Sequence, residues 1–239
     1  MTSSVVISGS GLWKPNHSIS NEELVDAYNA HAEQFNHQHQ KAIEQGELKS
    51  KPLSSAEFIE KASGIKSRYV YMKEGVLDID RMRPNIPERT DDELSDQAEM
   101  AIHAAKDALK AANKKPEDID VVIVACAYTQ RSYPALAIEV QGALGIKGFA
   151  FDMLVACSAA TFALHRAYEM IAAGTAKAVL VINPELTSPQ VNYCDRDSHF
   201  IFGDVSTAMV VESAVTANSE HVFEIMSTKA VTQYSNNIR

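Results

Sequence analysis

The sequence has few cysteines, one tryptophan and no long apolar run. Its 239 residues include three cysteines, Cys126, Cys157 and Cys194, and none forms a Cys-x-x-Cys pair. This spacing argues against a disulfide framework and against a zinc site. No apolar stretch approaches the roughly 20 residues that a membrane-spanning helix needs. These absences favour a reducing compartment and a protein without a membrane span.

Positive charge is also scarce. Lys and Arg number 22 against 31 Asp and Glu, so the net charge is −9. A nucleic-acid-binding surface needs the opposite sign, which argues against DNA or RNA as the main partner. The first residues, MTSSVVISGSGL, have no basic region before a short apolar stretch, unlike a secretory signal. We therefore expect a cytoplasmic protein, and the length and apolar content allow one or two domains.

Apolar runs alternate with helical patterns along the chain. Continuous apolar strands are predicted at 119–127, 149–156 and 176–183, with helices at 135–145 and 158–174 between them. This alternation predicts an α/β fold with a mainly parallel sheet covered on both faces. The segments 207–212 and 221–231 are predicted to be antiparallel partners.

The preceding part of the chain is less regular. A first strand is expected at 5–12, and Ser20 with Glu23 forms a capping-box pattern that begins a long helix. Residues 55–71 indicate a short helix, a turn at Gly64 and a strand. The proline-containing, charged segment 73–93 is predicted to be a loop. A further helix is expected from Asp91 to Asn113, because apolar residues recur there at spacings of three and four.

Cys157 lies between a predicted strand and a predicted helix, in the sequence VACSAA. The carboxyl end of a strand is where α/β sheets bind ligands, and a helix N-terminus favours a thiolate. The alternative is a buried core cysteine without chemistry. His165 lies eight residues further along, about 12 Å of helical rise, too far for a hydrogen bond. Nothing in the spacing of His199 favours it as a base.

The two other cysteines and a group of histidines have simpler interpretations. Cys126 falls inside a strand and Cys194 in a polar loop, and we interpret both as structural. His31, His37 and His39 lie in a polar helical stretch. A metal site there is conceivable, but a solvated helix face is favoured.

Several motifs, in order, resemble the ketoacyl synthase III group of thiolase-like condensing enzymes between about residues 5 and 212. They are SGSGLWKP, FIEKASGIKSR, YPALAIEVQGALGI, FDMLVACSAATFAL and DRDSHFIFGD. The resemblance implies a layered αβα fold in which Cys157 takes an acyl group from acyl-CoA as a thioester. A decarboxylative condensation with a malonyl thioester on an acyl carrier protein would follow. It also implies a homodimer; coenzyme A thioester is a substrate, and no cofactor or metal is expected.

The resemblance carries over to four further residues. Arg196 matches an arginine that contacts the adenine end of coenzyme A, and Phe58 matches an aromatic residue that stacks on the adenine. Ser63 matches a threonine near the nucleotide. Tyr133 matches an aromatic residue that reaches the acyl pocket of the partner subunit. A surface salt bridge for Arg196, and simple packing for Phe58 and Tyr133, remain open alternatives.

The chain also departs from that pattern. Ala62 stands where the family has an arginine, Ala160 where an aromatic residue is frequent, and Val205 where a glycine turn is usual. Residues 29–55 and 73–93 are insertions relative to the simplest members. These departures leave the substrate range open rather than the chemistry.

In that family the catalytic histidine and asparagine lie in the second of two similar halves. No matching motif follows His221, so we expect residues 1–239 to be the N-terminal thiolase-like half, with a C-terminal half or second polypeptide as a partner. A non-catalytic thiolase-like subunit, and a relative that uses a different extender, remain alternatives.

Docking of an acidic carrier protein would need a local basic patch. Lys61, Lys66 and Arg68 are candidates for it, although ordinary surface charge is the favoured interpretation of these three residues.

Overall fold

A computed structural model describes residues 4–236, which divide into two compact units. The first unit contains the residues up to 13, those at 91–185 and those from 206 onward; the second contains 14–90 and 186–205. The predicted insertion at 29–55 falls in the second unit; the one at 73–93 does so up to residue 90, and its last three residues belong to the first unit. The outermost residues of the predicted 1–239 domain, 1–3 and 237–239, lie outside the described part.

The helices and strands follow the predicted order, with β2 as an additional strand that the sequence pattern does not predict. In chain order they are β1 (Val5–Trp13), β2 (His17–Ser20), α1 (Asn21–Gln38), α2 (Gln40–Glu44), α3 (Ala56–Ser63), β3 (Ser67–Val70), α4 (Asp96–Ala111), β4 (Val121–Cys126), α5 (Leu136–Leu144), β5 (Phe149–Leu154), α6 (Ala159–Ala172), β6 (Ala178–Leu186), β7 (Asp204–Ser213) and β8 (Phe223–Glu224). Residues 73–93 contain no helix or strand, as the loop prediction requires.

Six strands form one mixed sheet in the order β5-β4-β6-β7-β1-β8. β4 is parallel to both β5 and β6, whereas β1 is antiparallel to β7 and β8. The layered α/β architecture is confirmed. The predicted pairing of 207–212 with 221–231 is wrong, because β1 lies between them and pairs with both. Only two residues of 221–231 form a strand, β8, and they pair with Val6 and Ile7.

β4 is buried on both faces. Its six residues are all inaccessible, and alternate side chains point to opposite sides of the sheet. One set packs in a core with α4 and α5; the other packs in a core with α6, whose alanines recur at spacings of four. Those two sets are Val122, Val124 and Cys126, and Val121, Ile123 and Ala125. Burial on both faces explains why the sequence of this strand is an uninterrupted apolar run.

β1 and α4 pack backbone against backbone. A Cβ atom placed on Gly11 would lie 2.0 Å from the Ala104 carbonyl oxygen and 2.5 Å from the Ala108 nitrogen. A Cβ on Gly9 would lie 2.4 Å from the Ala112 nitrogen. Glycine at these two positions therefore allows the helix to approach the strand closely.

The second unit begins with the predicted capping box. The Ser20 hydroxyl accepts from the Glu23 N–H, and the Glu23 carboxylate accepts from the Ser20 N–H. β2 and β3 form a two-stranded antiparallel sheet. α3 ends at Gly64, whose φ of 75° lies in the left-handed region that glycine tolerates. The capping box and the short helix, turn and strand of 55–71 are confirmed.

We predict that Gly11→Ala lowers the free energy of unfolding by about 1–3 kcal/mol, because the new methyl group meets helix backbone that cannot rotate away. Gly142→Ala is the matched control. Gly142 lies within α5, and a Cβ there meets nothing within 4 Å. Its replacement should be neutral or stabilising by up to about 1 kcal/mol. Urea denaturation measures both, and equal effects of the two variants would contradict the close-packing explanation.

Candidate active site

Cys157 lies in the turn that joins β5 to α6. A single 3-10 turn, Ala156–Ser158, follows the strand, and the helix begins at the next residue. Ala156 has a φ of 45°, in the left-handed region that alanine rarely adopts. Such strain is a feature of positions where a side chain must be presented in one direction. The Cys157 side chain is exposed at the carboxyl end of a parallel strand.

The helices of the first unit differ in how their N-termini are capped. The Ser95 hydroxyl accepts from the Ala98 N–H and caps α4. At α6 the equivalent residue is Ser158, whose side chain makes no capping hydrogen bond. The first turn of an α-helix presents N–H groups that have no partner within the helix. At α6 the Ala159 N–H donates to the Ala156 carbonyl oxygen, and the Ser158 N–H donates to the Val155 carbonyl oxygen. The Cys157 N–H, one residue earlier, is the donor that this turn offers to an anionic oxygen.

Asp152 caps α5 from the neighbouring strand. Its two carboxylate oxygens accept from the Leu136 N–H at 2.8 Å and from the Ala137 N–H at 2.7 Å. Sequence reasoning used this aspartate only as part of the FDMLVAC motif and missed its role. A usable signal was present, because Ala135 stands at the N-cap of α5 and has no side-chain acceptor. The carboxylate ties α5 to the strand that leads to Cys157.

The two other cysteines are less accessible than Cys157. Cys126 is fully buried in β4, its thiol donates to the Tyr128 carbonyl oxygen at 3.1 Å, and burial raises its pKa to about 12. Cys194 is half-buried, and burial raises its pKa although the charge of Lys51 opposes the shift. Both thiols are therefore protonated at neutral pH.

The two histidines considered as bases have other partners. His165 pairs with Glu169 one turn along α6 at 3.1 Å. It also lines a cavity of about 410 Å³ between α6 and residues 225–231. His199 belongs to the core of the second unit, where it stacks on Tyr28 at 4.9 Å between ring centroids and burial lowers its pKa. His199 is therefore a neutral packing residue at physiological pH.

Arg196 and Phe58 are in direct contact. The guanidinium carbon of Arg196 lies 3.8 Å from the centroid of the Phe58 ring. Its Nε donates to the Leu53 carbonyl oxygen at 2.8 Å, and a terminal nitrogen pairs with Asp197 at 3.2 Å. The structure thus brings together two of the residues that the resemblance indicated, and Arg196 also forms the salt bridge given as an alternative.

The other two residues that the resemblance indicated, Ser63 and Tyr133, belong to different units. The Ser63 hydroxyl donates to the Ile59 carbonyl oxygen and accepts from the Ile65 N–H, so it closes the last turn of α3. Tyr133 belongs to the first unit, in the segment between β4 and α5, where its side chain is 88% exposed. The acyl-pocket role of Tyr133 and the nucleotide role of Ser63 stay predictions.

The position of Arg68 contradicts the prediction that it belongs to a surface basic patch. It is only 5% exposed, and its guanidinium donates to the Ile19 and Ser20 carbonyl oxygens and to Asn21. Burial lowers its pKa. Arg68 therefore joins β3 to β2 from inside the unit, and neither a docking surface nor ordinary surface charge describes it. Lys66 is exposed and pairs with Glu60 at 3.3 Å.

Neither a metal cluster nor a membrane-spanning helix is found between residues 4 and 236. No group of three or more His, Cys, Asp or Glu side chains there is arranged to hold a metal ion. His31 instead contacts the Ile79 carbonyl oxygen through Nδ1 at 2.9 Å. The helices of the described range are too short or too polar to cross a bilayer.

A family profile described as 3-Oxoacyl-[acyl-carrier-protein (ACP)] synthase III matches residues 151–232, which include Cys157. The chain is 54% identical over 215 residues to the Beta-ketodecanoyl-[acyl-carrier-protein] synthase of Pseudomonas aeruginosa, covering 90% of this chain and 61% of the relative. It is 41% identical over 131 residues to the Beta-ketoacyl-[acyl-carrier-protein] synthase III of Aquifex aeolicus, covering 54% of this chain and 41% of that one.

Solved structures show the same fold. The 3-oxoacyl-[acyl-carrier-protein] synthase III of Aquifex aeolicus matches with a TM-score of 0.66 at 30% identity, over 88% of this chain and 54% of its own. The priming β-ketosynthase of the R1128 polyketide pathway matches with a TM-score of 0.67 at 23% identity, over 90% and 52%. The chain spans about half the length of these structures and 61% of the Pseudomonas relative.

We predict that a limiting amount of an alkylating reagent at neutral pH modifies Cys157 first, because the other two thiols are less accessible and have raised pKa values. Peptide mass spectrometry over time measures the three rates. Cys157→Ser should remove the fast phase completely. Modification of Cys126 or Cys194 at the rate of Cys157 would contradict the assignment.

Proposed function

We propose that this chain, which has a thiolase-like fold, is a β-ketoacyl-[acyl-carrier-protein] synthase III-like protein and that Cys157 is its acyl-accepting nucleophile. The observation that carries the proposal is the position of this thiol. It is the exposed cysteine of the three, on a strained turn between a parallel strand and a helix N-terminus. That position offers a planar thioester room beside the sulfur and N–H donors beside its oxygen.

The first step is transfer of an acyl group from coenzyme A to Cys157. The sulfur attacks the thioester carbonyl carbon, a new C–S bond forms, and the bond to coenzyme A breaks. The Cys157 proton leaves, and coenzyme A departs as its thiol after taking up a proton. Negative charge develops on the carbonyl oxygen during the attack, and the backbone N–H of Cys157 is the donor that this chain offers to it.

The second step is the condensation. A malonyl thioester loses CO2, its carbanion attacks the acyl carbon, and the Cys157 sulfur leaves as a thiolate that regains a proton. The resemblance requires a histidine and an asparagine for this step and matches neither to residues 4–236. The groups described here therefore account for acyl transfer, and the extender remains open.

The coenzyme A nucleotide is proposed to bind at Arg196 and Phe58 in the second unit. A guanidinium group and an aromatic face both stack on purines, and the arginine also attracts phosphate. The guanidinium carbon lies 3.8 Å from the centroid of the Phe58 ring. An adenine ring therefore has to insert between the two groups or stack on the outer face of one of them. Ser63 ends the same helix that carries Phe58 and would border the nucleotide.

An acyl carrier protein and a second copy of this chain are the proposed macromolecular partners. The carrier protein is proposed because the relatives are named acyl-carrier-protein synthases. The second copy is supported by β5, the first strand in the sheet order, which exposes Phe149 and Leu154. Tyr133 in the same unit is also exposed. Exposed apolar side chains on a strand at the edge of a sheet favour pairing with another chain.

We predict that incubation with an acyl-CoA adds one acyl mass to the protein and that Cys157→Ala gains none. Intact mass spectrometry before and after hydroxylamine, which cleaves thioesters, measures this. Cys126→Ala is the control and should acylate like the wild type, after allowance for any loss of stability in the β4 core. Acylation of the Cys157→Ala variant would place the acyl acceptor on another residue and overturn the proposal. A wild type that gains no acyl mass would also overturn it and would favour a non-catalytic, partner-binding subunit.

We predict that Arg196→Ala slows acylation of Cys157 by acyl-CoA about tenfold, the equivalent of roughly 1.4 kcal/mol of lost binding. The rate with an acyl-pantetheine, which lacks the nucleotide, should change less than about twofold on the same scale. Lys66→Ala is the control, because Lys66 is an exposed cation of the same unit whose partner is Glu60. Equal losses with both substrates would show that Arg196 does not bind the nucleotide.

A further inference from the structure

Two asparagines of α1 bind the last part of the 29–55 insertion to the helix. Asn36 accepts from the Lys51 N–H at 2.8 Å and donates to the Lys51 carbonyl oxygen at 2.9 Å. Asn29 makes the same pair of hydrogen bonds with Ser54, at 2.8 and 3.1 Å. The asparagines are seven residues apart, so both lie on one face of the helix. Each amide pairs with a backbone as a neighbouring β-strand would.

A third side chain of α1 completes the attachment. The Tyr28 hydroxyl donates to the Pro52 carbonyl oxygen at 3.0 Å. The residues between the two asparagine contacts, 51–54, are thereby fixed along α1 although they form neither helix nor strand. We call residues 51–54 the return segment. An irregular segment with this many hydrogen bonds to one helix has little freedom to move independently of it.

The return segment in turn holds Arg196. The Leu53 carbonyl oxygen, halfway along it, accepts from Arg196 Nε at 2.8 Å. Lys51 Nζ donates to the Cys194 carbonyl oxygen at 3.0 Å, two residues before the arginine. The guanidinium therefore has its Nε edge on a fixed backbone carbonyl and its face on the Phe58 ring.

Such an arrangement matters because a free arginine side chain has a large rotamer entropy. A guanidinium that is already oriented loses less of this entropy when a ligand binds. The Leu53 carbonyl can orient it only while the return segment stays on α1. The chain of contacts runs from Asn29 and Asn36 to the return segment, then to Arg196.

We propose that Asn29 and Asn36 are positioning residues for the nucleotide of the acyl-CoA substrate, and that the 29–55 insertion supports Arg196. This inference rests on the proposed role of Arg196. It assigns a function to a polar helix extension that sequence reasoning interpreted as a solvated face. It also predicts that the insertion affects recognition of the nucleotide end of the substrate and leaves the reacting thioester unaffected.

The test compares two acyl donors in the active protein. Asn36→Ala should lower kcat/KM for acylation of Cys157 by acyl-CoA by about fivefold, close to 1 kcal/mol, and leave the value for acyl-pantetheine unchanged. Tyr28→Phe is a milder variant that removes one hydroxyl and keeps the ring on His199; it should act in the same direction. Gln40→Ala is the matched control, because Gln40 bonds to Glu44 and should change neither value.

A double variant distinguishes this inference from the proposed function. In the Arg196→Ala background, Asn36→Ala should cause no further loss, because both act on one group. If Arg196→Ala alone leaves the acyl-CoA rate unchanged, the proposed nucleotide site is wrong and this inference falls with it. If Arg196→Ala lowers the rate but Asn36→Ala and Tyr28→Phe do not, the positioning role alone is overturned. Equal losses with both donors in Asn36→Ala and Tyr28→Phe would indicate a merely structural role and also overturn it.

Discussion

The burial of β4 on both faces determines where the rest of the first unit lies. Its six residues are inaccessible, and β5 and β6 run parallel to it on either side. The helices that cover its two faces must start at the same edge, because each follows or precedes a parallel strand. Cys157 is exposed at that edge because its strand ends there. The position of the thiol thus follows from the hydrophobic core.

The helices of the first unit differ in the groups that accept hydrogen bonds at their N-termini. The carboxylate of Asp152 accepts from the first two N–H groups of α5, and the Ser95 hydroxyl accepts from one N–H group of α4, that of Ala98. The Ser158 side chain does not do so for α6. At α6 the preceding 3-10 turn takes this place, because the Ala159 N–H donates to the Ala156 carbonyl oxygen. The three helix starts therefore differ in which group accepts from their first N–H groups.

The sequence was sufficient where local rules decide the structure. Apolar runs predicted the strands, Ser20 with Glu23 predicted the start of α1, and Gly64 predicted the end of α3. It was insufficient where the partner is remote. Arg68 is predicted to be a surface cation, whereas it is buried and its partners are backbone carbonyl groups of β2, 48 and 49 residues away. The pairing of β8 with β1 has the same cause, because strand order depends on contacts across the whole chain.

The candidate site was predictable to the same extent. The position of Cys157 follows from local pattern. The resemblance indicated Arg196 and Phe58 separately, and their contact with each other was not predicted. The support of Arg196 by α1 was not visible, because a polar helix face with asparagines has the same pattern whether it meets water or a backbone segment. Amide side chains can form hydrogen bonds with water or with a backbone segment. Such a face can therefore acquire a positioning role without any change in hydrophobic pattern. In this chain the insertion lies in the second unit and Cys157 in the first, so a change at the proposed nucleotide site need not disturb the residues that hold the thiol.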